Sequence, residues 1–346
     1  MYKNSIIKRL KVTQIIEETK EAKTFVLTPL DDWKPIYKPG QFITLVFNTE
    51  YGEKRRSYSM SSTPEADTTL QITVKKLDNG EFSRFLITRV KEGDILESSG
   101  ISGQFVLPEN KEYLKQFFFI AAGSGITPCF SLMKTLLKTT SHKVVLIYSN
   151  KSREDAVFYE QLKQLESLYP ERLRIKFLFS NENGIYNTRL SSWLLNHFIE
   201  DYLEVANNEA MFYVCGPFDY MLTVQITLLS RFPASHVIKE NYSSLPRKVI
   251  PKPPDTDQHK ATITINNKSY SIATQYPQSI LDSAIEHNIQ LPYSCKAGRC
   301  ASCVATCSKG KVWMAYNEVL TDDEVAAGRI LVCQSFAVDG DVEIIY

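Results

Sequence analysis

Between residues 115 and 232 four apolar runs alternate with four helical patterns, and no other feature restricts the fold of this chain so tightly. QFFFIAAG precedes CFSLMKTLLKTT, and KVVLIYS precedes DAVFYEQLKQLESLY. LRIKFLF precedes RLSSWLLNHFI, and AMFYVCG precedes YMLTVQITLLSRF. Apolar runs without alternation are strands buried on both faces. Repeated strand–helix units therefore predict a parallel α/β sheet covered by helices on both sides. A ligand of such a sheet sits beyond the carboxyl ends of its strands.

The flanks read differently. TFVLTPL, QFITLVF, RRSYSMS and LQITVKKL are short β-rich runs separated by turn residues such as Lys38-Pro39-Gly40 and Asp78-Asn79-Gly80. They predict an antiparallel β-barrel or sandwich over residues 1–110, with one helix near FSRFLITRV. The α/β part spans 111–243. SLPRKVIPKPPDTDQHK, with four prolines between 246 and 254, predicts a stiff exposed linker over 244–259. A third unit, 260–346, opens with a hairpin candidate turning at Asn266-Asn267 and a short helix, SILDSAIEHNI. On that helix Ile280, Ala284 and Ile285 share a face.

Composition sets outer limits. The 346 residues are 43% hydrophobic, enough for two or three cores. A formal charge of +1 argues against nucleic acid as a partner. FFFIAAGSGI is far shorter than the ~18–20 apolar residues of a membrane span. The N-terminus lacks the apolar run of a signal peptide. Seven cysteines in a long chain with no such signal predict reduced thiols and a cytoplasmic location.

Four of those cysteines crowd between 295 and 307. Disulfides, zinc and iron with sulfide are the chemistries open to such a cluster. Cys295-x4-Cys300-x2-Cys303, with Cys333 downstream in LVCQS, has the plant-type spacing of a [2Fe–2S] site. Small residues, Ala297, Gly298, Ala301 and Ser302, let a loop wrap and turn its amides inward. Zinc knuckles usually come in C-x2-C pairs, and here there is one pair. Cys307 lies outside the loop spacing and reads as a core cysteine. Residues 260–346 as a whole resemble plant-type ferredoxins. That resemblance implies a β-grasp fold with Cys295, Cys300, Cys303 and Cys333 as the iron ligands.

AAGSGITP follows the first strand of the α/β part and leads into a helix. Gly123 and Gly125 would let a phosphate approach the backbone, and the helix N-terminus adds partial positive charge. Pro128 suits the first turn of that helix. A plain turn is the alternative. Taken in order, Arg-x-Tyr-Ser at 56–59, GEFS at 80–83, GSGITP and CGP at 215–217 resemble the ferredoxin–NADP reductase superfamily. Its members join a flavin-binding β-barrel to a nicotinamide-nucleotide domain. With a ferredoxin segment added, the chain resembles reductase components of multicomponent oxygenases, above all those of the phenylacetyl-CoA epoxidase type.

The resemblance implies roles for individual residues. Arg56 would neutralise the flavin pyrophosphate, with Ser57 beside it. Tyr58 would stack on the flavin ring and Ser59 would hydrogen-bond near N5. Val74 and Lys75 would line the flavin, and the turn of Gly80, Phe82 and Ser83 would hold its phosphates. Gly123, Ser124, Gly125, Thr127, Cys215, Gly216 and Pro217 would face the nicotinamide nucleotide. Glu240 matches an acidic residue near the flavin, so Ser59, Cys215 and Glu240 are the catalytic candidates. Lys151, Ser152, Arg153 and Arg189 favour NADPH, with NADH as the alternative because Asn181 stands where NADP-specific relatives often carry arginine. FAD is expected over FMN, although no adenine contact is evident in the sequence.

The implied function is an electron-transfer enzyme. Hydride would pass from NAD(P)H to flavin, then single electrons through [2Fe–2S] to an oxygenase or other acceptor protein. That acceptor would dock near the cluster loop, where Lys296 and Arg299 are expected at the surface. A fatty-acid desaturase or Rieske oxygenase is the alternative acceptor. A redox-sensing iron–sulfur flavoprotein is the non-enzymatic alternative, and a sensor would not turn over.

Overall fold

A computed structural model describes residues 7–109, 112–182, 189–242 and 251–346. Along Lys8–Thr19 (β1), Leu10 and Val12 are buried between wetter neighbours, the alternation of a strand with one face inward. Ala22–Pro29 (β2), Phe42–Thr49 (β3), Gly52–Ser59 (β4), Leu70–Lys75 (β5) and, after the helix Glu81–Arg89 (α1), Ile95–Ser102 (β6) complete an antiparallel sheet. Its order is β4-β3-β6-β1-β2-β5. A bridge between Met60 and Ile72 joins the end of β4 to β5 and closes the barrel. The four expected strands are β2 to β5, and α1 is the expected helix. β1 and β6 are additional; β6, ILESSGIS, carries too many small polar residues to show a period.

Four strand–helix units follow, as expected. They are Gln116–Ala122 (β7) with Ile126–Thr139 (α2), Lys143–Asn150 (β8) with Tyr159–Leu168 (α3), Leu173–Phe179 (β9) with Ser192–Tyr202 (α4), and Ala210–Cys215 (β10) with Phe218–Leu229 (α5). Val237–Glu240 (β11) adds an edge strand. All pairings are parallel, in the order β11-β10-β7-β8-β9. β7 and β10 are buried at every position, because each face of the sheet carries its own core. Phe118 stacks on Phe212 at 5.0 Å on one face, and Phe119 on Tyr213 at 5.2 Å on the other. Each such ring stabilises by about 1.5–3 kcal/mol on burial. α3 starts four residues later than the pattern DAVFYEQL predicts. Phe158 adopts φ 64°, a left-handed conformation that no α-helix continues through.

His259–Ile265 (β12), Lys268–Thr274 (β13), Ile280–Glu286 (α6), Val304–Met314 (β14), Asp322–Ala326 (α7), Arg329–Leu331 (β15) and Ser335–Ile345 (β16) form the third part. Its mixed sheet runs β13-β12-β16-β14-β15, with β12 and β16 parallel. α6 packs on that sheet around Ile280, Leu281 and Ala284, the β-grasp arrangement.

The chain divides into two compact units, 1–241 and 242–346. Barrel and α/β sheet share the first. The Gly40 amide donates to Ser131 Oγ on α2 at 2.9 Å, and Lys134 on α2 pairs with Asp67. The sequence boundary at 110/111, and residues 243–250 with the boundary at 243/244 and the first part of the expected linker 244–259, lie outside the described residues. No helix among the described residues is long and apolar enough to cross a membrane.

Candidate functional site

The parallel sheet has a switch point. From β7 the chain moves outward to β8 and β9, then returns to the other side for β10 and β11. Connections therefore diverge at the carboxyl ends of β7 and β10, leaving a crevice where nucleotides bind in open α/β sheets. The two loops there are Gly123-Ser124-Gly125, a 3-10 turn, and Cys215-Gly216-Pro217. They pack back to back. A Cβ on Gly125 would stand 2.2 Å from the Cys215 carbonyl oxygen, so only glycine fits. Tyr148 and Tyr220 brace this end, donating to the carbonyls of Gly123 and Ala121 at 3.1 Å.

Neither α2 nor α5 has a side-chain N-cap; the Ile126 amide at the start of α2 donates to the carbonyls of Gly123 and Ser124, and no side chain caps the amides that follow. Thr127 is 2% exposed, and its hydroxyl has no hydrogen-bond partner. A buried orphan hydroxyl beside an uncapped helix N-terminus fits a nucleotide that supplies the missing partner.

The barrel presents its own cradle. Gly80 begins α1 with no side-chain cap, and a Cβ there would meet Ser83 Oγ at 2.3 Å. Arg56 on β4 lies 5.0 Å over the Phe82 ring, next to those amides. A guanidinium beside an uncapped helix end suits a pyrophosphate. Ser83 is tied into this turn. Its hydroxyl accepts from the Leu77 amide and donates to the Gly80 carbonyl, both at 3.1 Å, so it shapes the turn. Val74 is 1% exposed in the barrel core, which leaves only its backbone to line a ligand. Lys75 ends β5 half-buried, and β5 touches the Gly123–Gly125 turn. Ser57 shares a hydrogen bond with Thr44 at 3.1 Å. Tyr58 packs against the barrel core, and burial pushes its hydroxyl pKa up against the pull of Arg56. Ser61, two residues beyond the expected set, buries a hydroxyl with no hydrogen-bond partner at the barrel's closure.

Barrel and sheet meet at the three catalytic candidates. Ser59 Oγ donates to Glu240 Oε2 at 3.1 Å, with both residues buried. Cys215 pairs with Glu240 in register across β10 and β11 and is fully buried. The end of the Arg-x-Tyr-Ser strand thus abuts the switch point of the nucleotide sheet.

The expected 2′-phosphate residues lie beyond the carboxyl end of β8. Lys151 and Arg153 are exposed there. Arg153 donates to Glu160 at 2.9 Å and covers the Tyr159 ring, while Ser152 donates to Asp155 at 3.0 Å. Arg189 is exposed after β9, bordering residues outside the description.

The four predicted thiols come together between α6, β14 and the 3-10 turn Val332–Gln334. Lys296, Gly298 and Ala301 take φ of 51°, 72° and 55°, which coils the loop. The Cys295 thiol is drawn down to about 6, first by the hydrogen bond from Cys300. The amides of Arg299, Ala297 and Cys300 then act in the same sense against its burial. Cys303 is raised by its hydrogen bond with Cys333 and by burial. The sulfurs therefore stand as two pairs, Cys295 with Cys300 and Cys303 with Cys333. Two pairs of thiolates fit a cluster of two irons.

Gln334, which no sequence motif singles out, holds this site together. Its amide donates to the carbonyls of Lys296 at 3.0 Å and Cys333 at 2.8 Å. Lys296 is at the surface, paired with Asp282. Arg299 is not: its side chain is 13% exposed, drawn down to Glu318. Cys307 is half-buried on β14, donating to the Lys309 carbonyl.

The matches to known families follow this geometry. Residues 9–107 match the oxidoreductase FAD-binding domain, 119–225 the oxidoreductase NAD-binding domain, and 263–338 the 2Fe-2S iron-sulfur cluster binding domain. The fold and its sites define an oxidoreductase for FAD, NAD(P)H and [2Fe–2S]. The ferredoxin reductase component of 3-ketosteroid-9-alpha-monooxygenase from Mycolicibacterium smegmatis is 31% identical over 99% of this chain and 98% of its own. A component of 1,2-phenylacetyl-CoA epoxidase from Escherichia coli is 29% identical, covering 96% of each. The structure of phthalate dioxygenase reductase superposes with a TM-score of 0.61 at 23% identity, covering 98% of both chains. The chain belongs to this family of three-part reductases, with ferredoxin–NADP reductase-type FAD and NAD domains and a C-terminal [2Fe–2S] domain.

Proposed function

We propose that the chain draws electrons from NADPH and delivers them to an oxygenase-type protein that docks near Lys296, with phenylacetyl-CoA epoxidase chemistry as the nearest model. The observation that carries this is the Ser59–Glu240 contact, which sets the flavin cradle against the nucleotide crevice. A flavin, when bound, links a two-electron donor to a one-electron acceptor. Arg56 and the α1 amides hold its phosphates. Tyr58 covers its ring. Ser59, oriented by Glu240, offers a hydroxyl at the ring edge, and Cys215 closes the crevice behind the nicotinamide. The four thiolates Cys295, Cys300, Cys303 and Cys333 hold the outlet.

Relatives named for monooxygenases and an epoxidase support an oxygenase as acceptor. A cytoplasmic location suits the free thiols. NADH is a second reading, favoured by Asp155 and by the Arg153–Glu160 pair, which already engages the best 2′-phosphate partner. Anaerobic titration of the purified protein with NADPH and with NADH, followed by absorbance and EPR, tests the reading. Bleaching of a flavin band and growth of a rhombic iron–sulfur signal are expected. A preparation with neither band nor signal at any stage rejects it.

A further inference from the structure

We infer that the Tyr346 hydroxyl donates a hydrogen bond to a sulfur at the Cys303–Cys333 side of the [2Fe–2S] site and thereby raises its reduction potential. This rests on the four-thiolate outlet proposed above and deepens it. Along β16, Val342 and Ile344 are buried while Glu343 and Ile345 are exposed. Tyr346 continues that strand's ladder, its amide donating to the Thr264 carbonyl at 3.0 Å. The alternation of a strand turns its side chain inward with Val342 and Ile344. The ring packs against the apolar core that includes Cys303 and Cys333.

The register of β14 gives the direction. Thr306 faces Ile345 across this antiparallel pair, so the next step sets Ala305 beside Tyr346. Ala305 is buried, and so is Cys303, two residues before it and on the same face. That step is about 6.6 Å, within the reach of a tyrosine side chain on the neighbouring strand. Alanine at 305 leaves the ring room to lie along it. The Val332 amide donates to the Cys303 carbonyl at 3.2 Å, which brings Cys333 alongside.

The hydroxyl at the tip of this ring is buried and has no hydrogen-bond partner among the described residues. Such a group costs about 1–3 kcal/mol unpaired, and its persistence in a core points to a partner that completes it. Burial first, then the charges of Cys303 and Cys333, push its pKa well above the ordinary value. It therefore stays protonated and acts as a donor. A thiolate or sulfide of the site is the acceptor on that side. A hydrogen bond to sulfur strengthens as negative charge grows there, so it favours the reduced state.

The test compares wild type with Tyr346→Phe in the full-length, iron-loaded protein. A redox titration followed by EPR reads the midpoint potential. Tyr346→Phe should lower the constant for one-electron reduction about tenfold, the scale of one charge-assisted hydrogen bond, or ~59 mV. Resonance Raman after transfer to heavy water should show a smaller shift of the iron–sulfur stretching bands in the variant. Tyr270→Phe, 37% exposed on the edge strand β13, should change neither reading. An unchanged potential or an undiminished deuterium shift in Tyr346→Phe overturns the inference and leaves that hydroxyl to a buried water. Loss of the iron–sulfur absorbance in Tyr346→Phe, or an equal fall in potential in Tyr270→Phe, overturns it as well. In each of these cases the four-thiolate reading stands. A wild-type chain with no iron–sulfur signal overturns both.

Discussion

The Thr127 hydroxyl is buried at the start of α2 without a partner, and this separates a binding role from a structural one. An unsatisfied buried hydroxyl costs about 1–3 kcal/mol, so removing it should not harm the fold. Thr127→Val should leave the melting temperature equal or higher. It should also raise KM for the nicotinamide nucleotide about tenfold, the loss of one hydrogen bond in a dry site. A fall in both stability and affinity would make Thr127 a packing residue. At this scale the sequence is most legible where chemistry is local. Cys295, Cys300 and Cys303 announce themselves because one short loop carries all three. Gly125 is visible as a glycine, but its reason, the Cys215 carbonyl, is 90 residues away. The roles of Gln334, Ser83 and Arg299 escape the sequence for the same cause: the partners that decide them come from the fold.

Among elements, the β12–β13 hairpin is readable because Asn266 and Asn267 both take positive φ, 50° and 59°, as a tight primed turn requires. β11 is not, since four residues cannot show a period. The cluster loop and the 3-10 turn Val332–Gln334 depend on one side chain, and Gln334→Leu removes both of its hydrogen bonds. At ~1 kcal/mol each these favour the closed loop, so the variant should lose its visible iron–sulfur absorbance several-fold faster on mild heating, with flavin retention unchanged. The segment before β12 offers a pH test. Asp255, expected in a free linker, accepts from the amides of Asp257 and Asp339 and from His259. The Asp257 amide, then the Asp339 amide and His259, hold its pKa at about 2, below the 3.8 of an unperturbed aspartate. A depressed carboxylate stabilises above its unfolded value, and the contribution fades as pH falls from about 4 toward 2. Wild type should therefore melt above Asp255→Asn at pH 7, and the gap should close by about pH 2. A gap that is constant with pH would remove Asp255 as the cause.

For the whole molecule, the order of barrel, α/β sheet and ferredoxin unit is legible because each part carries its own local motif. The division of labour between the two compact units is a property of the fold. Barrel and α/β sheet share one unit and meet through Ser59 and Glu240, so nucleotide and flavin chemistry belong together. The [2Fe–2S] thiols and their core belong to the other. Each unit buries separate clusters of apolar side chains, so the first should fold when the second is removed. A chain ending at Asn241 should keep NADPH-driven ferricyanide reduction within about twofold, because a small one-electron dye reaches the flavin directly. Its reduction of cytochrome c should fall about tenfold or more, because a protein acceptor needs the exposed outlet around Lys296. The two assays on one sample separate the cases. Loss of both activities would show that the cluster unit supports the flavin site itself, and retention of both would place the protein acceptor at the barrel.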